Sequence, residues 1–118
     1  MRISMPRGDI RIIRFTITSP DGEISDVDFT EIYFTVKRKY SDSEYCFQKR
    51  LSSGGIVKND VGDYQIKIIP EDTEGMTINK SGEFYDFDIQ LVYGNEIKET
   101  TCGEFVLTKE VTHTNNEV

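Results

Sequence analysis

The single histidine, His113, has no serine or cysteine near it at a spacing that builds a nucleophile–base pair, so triad chemistry is not expected. The carboxylates fall into three groups: Asp26 and Asp28 with Glu31; Glu71, Asp72 and Glu74; and Asp86 with Asp88. Paired carboxylates can cleave glycosidic bonds when one is kept protonated in a dry pocket. Asp86 and Asp88 alternate onto an outward strand face, which offers no such pocket. Loop acids can bind calcium through oxygen ligands, but no EF-hand or Gly-Asp repeat spacing is present. Solvated acids that guard sheet edges and keep the chain soluble account for these groups. Cys46 and Cys102 are far apart, with no second Cys or His at ligand spacing, so a metal centre is not expected. They read as buried or half-buried free thiols, and the sequence leaves a cross-strand disulfide open.

The bases are more suggestive. Lys37, Arg38 and Lys39 are expected to face Lys49 and Arg50 across a hairpin, making a local positive patch on an acidic chain. These five residues are the candidate protein-interaction site, suited to an acidic neighbour in an assembly. Glu31, Asp42 and Glu44 are close enough in sequence to neutralise it, and it is too small to argue for nucleic acid. Arg7-Gly8-Asp9 spells an adhesion tripeptide, but Gly8-Asp9 is better explained as the turn that opens the first strand. Asn79-Lys80-Ser81 is a glycosylation sequon that matters only in a eukaryotic secretory route. Gly54-Gly55 precedes a strand and not a helix N-terminus, so no phosphate loop is present. No catalytic residue, cofactor site or metal site is assigned.

Strands must position all of these residues. Ile13, Phe15 and Ile17 alternate within 9–18, while Ile10 and Ile12 have the opposite parity, which suggests a bulge near Ile12-Ile13. Ser19-Pro20-Asp21-Gly22 is a turn. Ile32, Phe34 and Val36 alternate inward, and after a polar turn Tyr45 and Phe47 share a face of the next strand. Ile56-Val57 is a short strand, and Tyr64, Ile66 and Ile68 line another. Pro70-Glu71-Asp72-Thr73-Glu74-Gly75 has the proline, early acids and closing glycine of one helical turn. Tyr85, Phe87, Ile89, Leu91 and Tyr93 then alternate against Asp86, Asp88 and Gln90 in the clearest strand of the chain. Gly94-Asn95 turns into a last strand that runs through Gly103 to Leu107. A glycine in mid-strand predicts a bulge or a close backbone approach.

This pattern predicts an all-β fold: an immunoglobulin-like antiparallel β-sandwich of about seven strands, with one short helical turn between strands five and six. The sandwich domain is placed at 1–109 and a flexible tail at 110–118. Tyr85 sits just past the helical corner, where it is either a tyrosine whose hydroxyl bonds back to the main chain, as a sandwich often has, or a plain core aromatic. The chain has 118 residues, seven Phe, six Tyr and no Ala, a strand-forming bias. Its net charge of −7 repels phosphate backbones and anionic lipid, so neither nucleic acid nor membrane is an expected partner. The N-terminus has no apolar signal region, so the expectation is either retention in the cytoplasm or a chain already trimmed of its leader.

The order of these pieces resembles a family of small β-sandwich domains in phages and prophages of Gram-positive bacteria, typified by the N-terminal domain of upper baseplate proteins. Gly8-Asp9 before an alternating strand, Asp21-Gly22, and Ile32-Tyr33-Phe34-Thr35-Val36-Lys37 carry the first half of the likeness. Gly62-Asp63-Tyr64, the step Ile69-Pro70-Glu71-Asp72-Thr73, the strand opening at Gly82-Glu83-Phe84-Tyr85-Asp86 and the closing Gly103-Glu104-Phe105-Val106-Leu107 carry the second. The two cysteines are outside the family pattern, and known members continue into a long C-terminal region. The resemblance implies a non-enzymatic structural protein of the virion, in a tail, baseplate or neck, assembled in the bacterial cytoplasm. Its partners would be other virion proteins and further copies of itself. The alternative is a module that binds carbohydrate or a host surface through exposed aromatics such as Tyr33, Tyr40, Tyr45 and Tyr93. Strand parity assigns Tyr45 and Tyr93 to the core, which leaves that platform thin.

Overall fold

Alternation of β-branched and aromatic residues with polar ones dominates the chain, and the computed structural model is correspondingly all-β; it describes residues 1–78 and 82–109. Among the described residues eight strands and one helical turn follow in order: β1 (Arg2–Pro6), β2 (Arg11–Thr16), β3 (Glu31–Lys37), β4 (Phe47–Arg50), β5 (Ile56–Asp60), β6 (Asp63–Ile68), α1 (Pro70–Thr73), β7 (Glu83–Tyr93) and β8 (Glu96–Thr108). They form a five-stranded sheet, β1-β8-β7-β3-β4, and a three-stranded sheet, β2-β6-β5. All pairings are antiparallel except that of β1 with β8.

The two sheets share one core. Phe34, Phe87 and Phe105 from the larger sheet pack in the same buried cluster as Tyr64, Ile66 and Ile68 from the smaller. Phe34 and Phe87 lie 5.4 Å apart between centroids, and Phe47 meets Phe105 edge-on at 5.8 Å. Phe15 stacks on Tyr64 at 5.7 Å. Each fully buried ring or branched chain stabilises the fold by about 1.5–3 kcal/mol of transfer free energy, and offset or edge geometry adds to the aromatic pairs.

The helical turn lies where the Pro-Glu-Asp-Thr run predicts it. Pro70 begins it, and the Asp72 carboxylate accepts the Ile69 N–H at 2.9 Å. Tyr85 also does what its position at this corner suggests, its hydroxyl donating to the Thr77 carbonyl at 2.6 Å. Gly103 is the close approach foreseen for a mid-strand glycine: a Cβ there would lie 2.5 Å from the Met1 carbonyl oxygen and 2.7 Å from the Phe87 ring.

Several expectations are corrected. β1 is an additional strand at the start of the chain, burying Ile3 and Met5. β2 pairs with β6 without a bulge, so Ile10 and Ile12 are simply exposed, at 62% and 50%. The register shifts lie instead between Lys58 and Asp60 and between Leu91 and Val92. β4 begins only at Phe47, leaving Tyr45 outside it and half exposed. Both cysteines are exposed free thiols and not buried ones. His113, the sequon at 79–81 and the tail placed at 110–118 lie outside the described residues.

Candidate functional site

The basic patch does not assemble as the hairpin reading implied. The register sets Arg50 opposite Tyr33 and Lys49 opposite Phe34, so neither stands across from 37–39. Four of the five bases have separate side-chain contacts, and Lys39 is held through its main chain. Lys37 Nζ donates to the Asp42 carbonyl at 2.8 Å. Arg38 pairs with Glu83 and lies 4.9 Å over the Tyr85 ring. The Lys39 N–H donates to the Asp42 carboxylate at 3.2 Å. Lys49 bonds Asp72 at 2.6 Å with both side chains largely buried, and Arg50 covers Tyr33 at 5.2 Å. The contacts of Arg38, Lys49 and Arg50 join separate elements, whereas those of Lys37 and Lys39 are local to the turn after β3.

The acidic groups separate too. Glu31 holds the chain after β4: it accepts from Ser52 N–H at 3.0 Å, from the Ser52 hydroxyl, and from Ile32 N–H at 3.1 Å. Burial alone would raise its carboxyl, but these donors outweigh it and hold the group below the usual glutamate range. Asp88 lies on the outer face of the larger sheet, opposite Thr35 and Cys102. Burial pushes its carboxyl up, with Lys37 opposing. Among the described residues no cluster of three His, Cys, Asp or Glu is arranged to hold a metal, and no helix is long and apolar enough to cross a membrane.

Two of the outward aromatics are already engaged within the chain. Arg50 covers Tyr33. Tyr40 places its hydroxyl 3.0 Å from both the Phe87 and Gly103 carbonyls, and burial followed by the Cys102 thiol pushes it up to about 12.

Two clefts remain. One of about 560 Å³ lies beside α1, with Arg38, Cys46, Asp72, Met76 and Tyr85 on its walls. Its central charges are already paired, Arg38 with Glu83 and Asp72 with Lys49. The other, of about 830 Å³, opens at the opposite end of the sandwich. Its origin is a mismatch of strand length. β7 and β8 run 11 and 13 residues, while β2, β5 and β6 run 5 or 6. The inner face of the longer pair therefore overruns the smaller sheet. Leu91 is still covered, at 6% exposed, but Tyr93 on the same parity is 52% exposed and not core.

Residues 17–30 form the facing wall and contribute Ile17, Pro20, Val27 and Phe29 to the groove. Main-chain bonds hold this wall in place: Ile17 N–H to the Gly62 carbonyl at 2.8 Å, Ser25 N–H to the Ile17 carbonyl at 2.9 Å, and Thr30 N–H to the Val92 carbonyl at 2.8 Å. The Gly94 N–H donates to Thr30 Oγ1 at 2.7 Å and ties the wall to the β7–β8 turn. Gly62, at φ 72°, is required here because a Cβ would lie 2.4 Å from Ile24. Asp26, Asp28 and Glu99 rim the groove. No Lys or Arg occurs in 17–30, and among the described residues none lines the groove. Lys58 approaches from outside, 3.3 Å from Asp28.

The sequence flagged Asp26 and Asp28 only as solvated acids and missed Phe29, Val27 and Glu99 altogether. The available signal was an acid-only stretch interleaved with Val27 and Phe29, between two strands. No protein-family model matches the chain, and no curated protein matches it in sequence.

Proposed function

We propose that the chain is a non-enzymatic structural module of a phage virion, in a tail, baseplate or neck, that works through protein–protein contacts with other virion proteins and with further copies of itself. The observation that carries the contact role is the open groove at the end of β7 and β8, pre-shaped by main-chain bonds and rimmed by carboxylates. The virion assignment is supported by the resemblance, which lies in the order and spacing of its pieces, among them Gly62-Asp63-Tyr64 at the start of β6 and Pro70-Glu71-Asp72-Thr73 at the α1 corner. An immunoglobulin-like topology is part of this reading. It is supported by the split of the first two strands between sheets, by the pairing of β1 with the last strand, and by the Tyr85 corner. Assembly would take place in the bacterial cytoplasm.

Antibody against the purified chain, applied to phage particles, tests the assignment, with light scattering over a range of concentration as the companion measurement. Labelling confined to one part of the particle is the expected result. Unlabelled particles that lack the chain by mass spectrometry would overturn it. The second reading, a carbohydrate-binding module, is favoured only by Tyr93 and Phe29 standing beside carboxylates in one groove.

A further inference from the structure

We infer that the groove between residues 17–30 and the ends of β7 and β8 receives a basic segment of a partner protein, one in which lysine or arginine flanks an apolar side chain. The inference rests on the contact role proposed above and deepens it.

The floor fixes the apolar half of this chemistry. Ile17 and Leu91 close the bottom at 8% and 6% exposure, and Val27 and Tyr93 stand open on the walls at 40% and 52%. An inward-parity aromatic at that exposure is apolar surface with no covering element among the described residues, shaped as a concave site. The rim fixes the polar half. Asp26, Asp28 and Glu99 lie around the opening, and the wall from 17 to 30 adds Asp21 and Glu23 with no base among them. Asp28 is 87% exposed on its side chain, and its bond to Lys58 is a surface pair of little strength, readily exchanged for a partner's cation.

Charge decides between occupants. A second copy of this chain brings −7 to an already acidic end, so self-association there is opposed. A neutral sugar would use the aromatics but leave the carboxylate rim without a complement. A cationic segment uses both. Its attraction is steered by the rim charges, screened by salt and anchored by an apolar side chain against Phe29 and Tyr93.

The test titrates the isotopically labelled full chain with a short peptide in which lysines flank a pair of leucines, and with its glutamate counterpart, at low and high salt. A maltooligosaccharide and dilution of the chain alone serve as further arms. The expected result is saturable amide shifts confined to 17–30 and 91–99 with the lysine peptide only, weakened by salt. The exposed pair Asp26→Asn with Glu99→Gln should weaken binding roughly tenfold. Tyr93→Ala should abolish it, and the charge variants decide the matter should that variant fail to fold. Absence of binding, equal binding of both peptides, or shifts elsewhere would overturn the inference. Groove shifts that appear with concentration alone or with the saccharide would overturn it as well. Peptide failure with labelled particles sinks the groove assignment alone, and peptide binding with unlabelled particles sinks the virion reading alone.

Discussion

The Tyr85 hydroxyl donates to the Thr77 carbonyl at 2.6 Å, fastening the start of β7 to the chain that leaves α1. Tyr64 stands in contrast. It is 1% exposed, and its hydroxyl is the buried side-chain polar atom that has no hydrogen-bond partner among the described residues. The same substitution should therefore act in opposite directions. Tyr85→Phe strands the Thr77 carbonyl and should cost about 1–2 kcal/mol. Tyr64→Phe removes an unpaired hydroxyl and should be neutral or stabilise by about 1 kcal/mol. Chemical denaturation of both variants checks this, and a Tyr64→Phe loss matching that of Tyr85→Phe would contradict it.

Glycine substitutions should separate crowding from backbone conformation. Gly103→Ala drives a methyl into the Met1 carbonyl and the Phe87 ring, and should destabilise by about 1–3 kcal/mol or more while loosening β1. Gly94→Ala enters open space at φ 64° and should cost only about 1 kcal/mol, from the left-handed backbone. Thermal melts with hydrogen exchange on β1 amides distinguish the two, since only Gly103→Ala should expose them.

Two carboxylates should pull the pH dependence of stability in opposite directions. The folded state holds Glu31 below its ordinary value of 4.5, so its contribution is present above that value and is lost as pH falls through the lower folded one. Asp88 is raised above 3.8, so the folded state favours its protonated form, and its cost grows as pH rises from 3.8 through the folded value. Glu31→Gln should destabilise at neutral pH, with the difference shrinking in acid. Asp88→Asn should stabilise at neutral pH, with the gain vanishing in acid. Melting temperatures from pH 3 to 7, a window set by those ordinary values, test both signs.

The Lys49–Asp72 pair should behave as a structural clamp. Asp72 accepts both Lys49 Nζ and the Ile69 N–H, so β4 is held to the α1 corner through one carboxylate. Lys49→Ala leaves that carboxylate half-buried without its cation and should cost about 1–3 kcal/mol. Peptide titration of the folded variant should match the parent, because the lysine lies away from the groove. Weakened peptide binding would reassign Lys49 to the interaction surface.

Local pattern made much of this legible. Period-two alternation predicts the buried positions Phe34, Phe87, Ile89 and Tyr64, and the Pro-Glu-Asp-Thr run predicts the corner. What it missed depends on distant parts of the chain. Tyr93 has the parity of Leu91 but lies past the register shift of β7 against β8 and beyond the end of the opposing sheet, whose reach is set by the lengths of β2, β5 and β6. The basic patch failed because strand register decides which bases stand opposite one another, and β4 starts later than its apolar pattern suggests. β1 carries few strand signals of its own, since it is defined by the last strand it joins.

That joining has a consequence for how the protein is made. Arg2 bonds Glu104, 102 positions along the chain, and the β1–β8 ladder is the widest separation in the fold. A ribosome delivers β1 about a hundred residues before its partner, so the larger sheet cannot be completed on the nascent chain until β8 has emerged. Until then Ile3 and Met5 have no cover and the outer edge of the sheet has no occupant. High sequence separation slows this closing step, and an unfilled edge is a template for another chain's strand. The interval between synthesis of β1 and its docking is therefore when this domain is most exposed to misassembly, and changes in translation speed across the codons of β8 should alter its soluble yield.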